Sequence, residues 1–155
     1  MKNQHVLFIL ALACTTLSCG KDEKGDDPHP PTQAQLLSAK KWQIRSISLT
    51  SPSQPDVDLY ALVRPCSQDD FVEFTAPNTF RSDEGPTKCQ TTDSQTQLGI
   101  WALGTNETQL TVTFNGFTTS YTIDELTDTS LRLTTTRTQS NGVVSTQKNS
   151  YVAIP

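Results

Sequence analysis

The chain has 155 residues, is 34% hydrophobic and 7% aromatic, and carries a net charge of −4 at pH 7. That length suits one domain with one modest core, and the mild acidity leaves no basic footprint for nucleic acid. Beyond one short run near its start, no apolar stretch approaches the roughly 20 residues of a membrane-spanning helix.

Lys2 followed by the apolar run Val6 to Ala13 reads as a signal peptide, too short to span a bilayer. The run ends on Thr15-Thr16-Leu17-Ser18-Cys19. This resembles a lipoprotein signal, in which cleavage falls before a cysteine that is then acylated, so residues 1–18 would leave and Cys19 would carry the lipid. The usual aliphatic residue three before the cysteine is Thr16 here. A plain secretory signal is the alternative. Residues 19–31 carry charge, glycine and proline with nothing to bury, which makes a solvated tether. Within it Lys21-Asp22-Glu23 resembles the export signal that sends such lipoproteins to the outer face of the outer membrane. A lipid-anchored, surface-exposed protein is the expectation.

Of the four cysteines, Cys14 would leave with the signal and Cys19 would be acylated. An exported pair left over, Cys66 and Cys89, is expected to form a disulfide. A metal pair would need further ligands, and no CxxC spacing suggests redox work. The bridge would close a loop of roughly two dozen residues, contributing about 3 kcal/mol in the chain-entropy model.

The folded domain is expected over 32–155. Residues 32–41 read as a short helix capped by Thr32, with Leu36 and Leu37 inward. Trp42 opens a strand in which Ile47 and Leu49 fall on the face opposite Trp42 and Ile44, so a bulge is expected at Arg45-Ser46. Residues 50–58 read as a Pro/Ser loop and 57–63 as one or two helical turns ended by Pro65. Strands follow around Val72 and Phe74, Phe80, Ile100 to Leu103, and Leu110, Val112 and Phe114. Asn115-Gly116 makes a two-residue hairpin turn, with both positions favouring positive φ. Phe117, Tyr121 and Ile123 continue the return strand, Leu131 to Thr138 makes the next, Asn141-Gly142 a second hairpin turn, and 143–154 the last. The fold class is all-β: an antiparallel up-and-down meander of about eight strands closing into a small barrel, with a two-sheet sandwich as the alternative.

The run Leu36-Leu37-Ser38-Ala39-Lys40-Lys41-Trp42 is similar to the opening of the lipocalin-like domains of Bacteroidetes lipoproteins. Cys66, Asp69-Asp70, Phe74, Asn78-Thr79, Asp83-Glu84-Gly85, Lys88-Cys89 and Gly99-Ile100-Trp101 extend the likeness over most of residues 33–153. Ala39 stands where the family has glycine at a tight turn. The resemblance implies a barrel closed at one end by a short helix, and no known ligand.

Catalysis finds few parts. His5 would leave with the signal and His29 lies in the tether, so no histidine remains in the domain for a Ser-His-Asp or zinc arrangement. Asp69, Asp70, Asp83 and Glu84 converge at one end of a hairpin, where they are weak calcium candidates or a hydrated rim. No cofactor motif is present. Trp42, Tyr60, Trp101, Phe114 and Tyr121 are the candidate ligand-contacting aromatics, the two tryptophans being expected first as core. The expected function is a non-catalytic module that binds a small apolar or glycan-like ligand. The alternative is a protein-interaction or inhibitor-type module with a filled barrel, using the hairpin clamped by Cys66 and Cys89.

Overall fold

The computed structural model describes residues 29–155, Ser53 excepted. The expected signal peptide, Cys19 and the expected tether up to residue 28 lie outside the described residues. The folded unit runs from Pro31 to Pro155.

It opens on helix α1 (Gln33–Ser38). Thr32 Oγ1 accepts from the Gln35 amide and Gln35 Oε1 accepts from the Thr32 amide, a reciprocal pair that satisfies two otherwise unpaired donors. The helix is shorter than the sequence suggests because Lys41 is already paired in the sheet. Ala39 ends it in ordinary right-handed geometry (φ −77°), so no glycine is required there. Leu37 is fully buried, and its carbonyl accepts from the Trp42 indole at 2.9 Å, which fastens the helix to one end of the barrel.

Nine antiparallel strands follow: β1 (Lys41–Ser51), β2 (Gln54–Asp58), β3 (Phe71–Thr75), β4 (Thr79–Asp83), β5 (Thr96–Leu103), β6 (Gln109–Phe114), β7 (Phe117–Leu126), β8 (Ser130–Thr138) and β9 (Val144–Ile154). β3 to β9 pair in sequence order, and β1 pairs with both β3 and β9, which closes an eight-stranded barrel. β1 follows β9 from Lys41↔Ile154 to Thr50↔Thr146, with the register shift expected at Arg45. It meets β3 only through Lys41 to Gln43.

That short seam accounts for the one strand the sequence reading misses. Beyond Gln43 the second edge of β1 has no β3 to pair with, and β2 supplies partners at Ser48↔Asp58, Leu49↔Val57 and Ser51↔Gln54. The expected loop at 50–58 is therefore largely a hairpin, because unpaired backbone groups cost more than the Pro/Ser composition disfavours a strand. Pro55 is tolerated because β2 is an edge. The expected helical turns at 57–63 shrink to one 3-10 turn, Tyr60–Leu62, where Asp58 Oδ1 accepts from the Tyr60 and Ala61 amides.

Asn115 (φ 50°) and Gly116 (φ 79°) form the two-residue turn between β6 and β7. The β8–β9 connection is longer. Its first cross-strand pair is Thr138↔Val144, and only Gly142 (φ 81°), not Asn141, is left-handed. The Gly142 amide donates to Gln139 and the Gln139 amide to Val143, which leaves a five-residue loop.

The core gathers Leu37, Trp42, Phe74, Phe80, Trp101, Leu110, Val112, Leu131 and Leu133. Phe74 bridges Phe80 (5.5 Å between centroids) and the edge of Trp101 (5.8 Å). Burial of side chains this size contributes roughly 1.5–3 kcal/mol each. The Trp101 indole donates to the Thr75 carbonyl at 3.1 Å, so its one polar atom is satisfied.

Candidate functional site

Alternation along β6, β7 and β8 decides what the barrel interior presents at the end away from Leu37. On β6, Leu110, Val112 and Phe114 share one face. Their cross-strand partners on β7 are Tyr121, Thr119 and Phe117. On β8 the buried series Leu131, Leu133 and Thr135 continues, two residues on, to Arg137.

These faces enclose a pocket of about 420 Å³, lined by Phe80, Val112, Phe114, Asn115, Phe117, Thr119, Tyr121 and Arg137. That volume lies within the range of small-molecule sites. The Phe80 and Phe114 rings meet edge to face at 5.3 Å and form its floor. Beneath them sits Gly99, where a Cβ would approach Phe80 at 3.2 Å, Phe114 at 3.3 Å and the Thr113 carbonyl oxygen at 2.4 Å. Phe117 is 78% exposed at the rim, a large apolar surface left in water.

Outside this lining, buried interior positions on β8 and β9 are polar. Thr135, Ser145 and Asn149 are buried yet hydrogen-bonded: Thr135 donates to the Ser120 carbonyl, Ser145 accepts from Gln139 and Asn149 accepts from Gln147. Burial raises the Tyr121 phenol above its ordinary value, against smaller opposing effects of a hydrogen bond with Thr119 and the charge of Arg137. Burial, reinforced by Tyr121, pushes Tyr151 well above the phenol range, with an Asn149 hydrogen bond opposing. Both phenols therefore stay neutral. The surface Tyr151 retains faces a second, smaller pocket of about 130 Å³ with Trp42, Ile44, Asp70, Phe71, Val72 and Ser82.

Of the five aromatics singled out from sequence, only Phe114 and Tyr121 meet in the larger mouth pocket. Trp42 and Trp101 are core residues at 0% and 5% exposure. Tyr60 sits in the 3-10 turn after β2 and lines neither pocket. Phe80, Val112, Asn115, Phe117, Thr119 and Arg137 also line the mouth pocket and are not among the residues singled out from sequence. Counting in twos from Leu131 would have placed Arg137 on the inner face. A larger groove, about 490 Å³, runs past Pro77, Ile100, Thr111 and Thr113. Ile100 is 55% exposed, and Thr111 and Thr113 alternate with the inward Leu110 and Val112, so this groove draws on the outer face of β5 and β6.

Cys66 and Cys89 are bridged (Cα–Cα 5.1 Å). The four acids do assemble beside the bridge. Burial, then the charges of Asp69, Glu84 and Asp83, raise the Asp70 carboxyl, and Arg64 partly offsets them. Burial works on Asp83 in the same direction, but hydrogen bonds from Gln95, Thr96 and the Gly85 amide, with Arg81, hold its carboxyl below the ordinary range. Arg81 also reaches Glu73 at 2.7 Å. Asp69 Oδ2 accepts from the Thr87 amide. Among the described residues no three of His, Cys, Asp or Glu are grouped so as to hold a metal ion. Of the calcium candidates Asp69, Asp70, Asp83 and Glu84, Asp83 is saturated by protein donors, while Asp69 Oδ1, Asp70 Oδ1 and Glu84 Oε2 are buried without a hydrogen-bond partner.

A model of the lipocalin-like domain matches residues 39–133. No curated protein matches the chain. Among solved structures, lobster apocrustacyanin A1 is similar at 17% identity and TM-score 0.47, over 73% of this chain and 58% of that one. The chain thus spans less than two thirds of the lobster protein's length. A deswapped triple mutant of bovine odorant binding protein is similar at 11% identity and TM-score 0.43, over 77% of this chain and 74% of that one. With its family match covering more than half its length, this chain belongs to the lipocalin-like domain family.

Proposed function

We propose that the chain is a non-catalytic binding module, lipid-anchored through Cys19 at the outer membrane and exposed at the cell surface. Its barrel holds a small ligand at the mouth pocket. The observation that carries this reading is the pocket of about 420 Å³ walled by Phe80, Val112, Phe114 and Tyr121 above a filled core. Lipocalin-like domains typically take small hydrophobic ligands, and an aromatic floor beside the polar Asn115, Thr119 and Tyr121 suits a small apolar body bearing polar groups. The address rests on the sequence alone: the short apolar run, Ser18-Cys19 and the tether behind it.

Native mass spectrometry of the chain purified from cells without delipidation tests the binding. An adduct lost on denaturation is expected. A bare mass that persists after incubation with lipid and glycan extracts would remove the reading. Intact mass also tests the anchor, since acylation adds the mass of a lipid at Cys19 and an unmodified cysteine there would end that part.

A second reading has its own support. Leu62, Leu98 and Ile100 are 74%, 67% and 55% exposed, and Leu62 lies just before the bridged Cys66. A protein-interaction module would use such surface, and its partner would survive Phe114→Ala.

A further inference from the structure

Four other arginines of the domain already have work. Arg81 binds Glu73 and Asp83, Arg132 binds Glu125, Arg45 donates to Gln43, and Arg64 moderates the acid cluster. Arg137 differs. Among the described residues its guanidinium makes no ion pair or hydrogen bond. It nevertheless lines the mouth pocket, and it is the one charged residue there: the other lining residues are Phe80, Val112, Phe114, Phe117 and the uncharged polar Asn115, Thr119 and Tyr121. No carboxylate stands in that wall to compete for it.

We propose that the mouth pocket selects an amphipathic anion, an aromatic or apolar body seated on Phe80 and Phe114 with one carboxylate- or sulfonate-like group held by Arg137. This rests on the pocket being the binding site and names the ligand class it takes. A planar guanidinium presents paired donors that match a planar carboxylate and stacks on aromatic faces, which an ammonium does not do equally well. The apolar wall beside it excludes water from one side of the ion pair and so strengthens it relative to an open surface pair. The chain's net charge of −4 offers anions no general attraction, so selection depends on this one side chain. Tyr121 and Thr119 supply neutral hydroxyls beside the same anion.

Two fluorescent probes separate the parts: 1-anilinonaphthalene-8-sulfonate, and N-phenyl-1-naphthylamine, which has the same aromatic body without the sulfonate. Titrations use the full chain, with Thr119→Trp, which fills the pocket, as the blank. Arg137→Gln is expected to weaken the sulfonated probe about tenfold, the size of a charge-assisted hydrogen bond, and to leave the neutral probe unchanged. Arg137→Lys should recover part of that loss. Equal affinity of wild type and Arg137→Gln for the sulfonated probe would overturn the anion while the pocket stood, provided Thr119→Trp still abolished binding of the neutral one. If Thr119→Trp bound both probes as wild type does, the pocket and the anion would fall together. Should Thr119→Trp fail to fold, Phe117→Ala at the exposed rim serves in its place and is expected to weaken both probes.

Discussion

Gly99 offers the sharpest test of how the barrel and its pocket depend on each other. Its absent side chain lets β5 approach β6 and lets Phe80 meet Phe114. A Cβ there would lie 2.4 Å from the Thr113 backbone oxygen, roughly 1 Å inside ordinary contact. A carbonyl in a paired strand cannot swing away as a side chain can, so Gly99→Ala must part the β5–β6 ladder and press on both rings. Overpacking of this kind costs about 1–3 kcal/mol, and the close backbone contact argues for the upper half, a fall in Tm of about 10 °C in a domain this size. Gly116→Ala is the control. It has no atom within 4 Å of the added Cβ but a φ of +79°, so it incurs only the left-handed penalty, about 1 kcal/mol. Urea unfolding followed by circular dichroism measures both, and titration of N-phenyl-1-naphthylamine reports the pocket. Gly99→Ala should be the more damaging and should weaken the probe; Gly116→Ala should do neither. If Gly99→Ala proved as stable as wild type, or no worse than Gly116→Ala, the packing argument would be refuted.

Reduction of Cys66–Cys89 should lower stability by about 3 kcal/mol, read from urea curves with and without reductant. Coincident curves would show that the bridge does not constrain the unfolded chain. The two aspartates beside it should respond to pH with opposite signs. Asp83 is held below the ordinary value of 3.8, so it stabilises the fold above that pH and the contribution is lost as pH falls through its folded value. Asp83→Asn should therefore destabilise at pH 7, with the penalty shrinking below pH 3.8. Asp70 is raised above 3.8, so the fold loses stability as pH rises through its folded value. Asp70→Asn should stabilise at pH 7 and make no difference well below 3.8. Shifts of the same sign in both variants at pH 7 would sink this account of the cluster.

Local signals were legible wherever a residue's own chemistry decides its conformation. Asn115-Gly116 names its turn because both positions take positive φ, and the shift from Ile44 to Ile47 names the bulge because one residue too many lies between inward positions. Cys66 and Cys89 were legible through compartment and elimination. What sequence reasoning missed depends on partners distant in the chain. β2 exists because the distal half of β1 would otherwise leave a bare edge, and nothing in Gln54-Pro55-Asp56-Val57-Asp58 announces that vacancy. The β8–β9 loop is five residues because pairing stops at Thr138↔Val144, which overrides the short-turn reading of Asn141-Gly142.

The position of the pocket follows from how this chain distributes bulk along an eight-stranded barrel. A barrel of that size is just wide enough for side chains to fill it or for one small ligand to replace some of them. At the end under α1, Leu37, Trp42, Trp101, Leu110 and Leu131 fill the interior, and each tryptophan spends its indole N–H on a backbone carbonyl. Toward the other end the inward positions turn small or polar: Gly99 on β5, Thr119 on β7, Thr135 on β8 and Ser145 on β9. Phenylalanines persist there at Phe80, Phe114 and Phe117, on the side formed by β4, β6 and β7. Thr135, Ser145 and Asn149, buried on β8 and β9, complete hydrogen bonds of their own rather than adding apolar bulk. The same alternation that plugs one end of the barrel therefore leaves the other open, lined by Phe80, Phe114 and Phe117 together with Asn115, Thr119, Tyr121 and the charged Arg137.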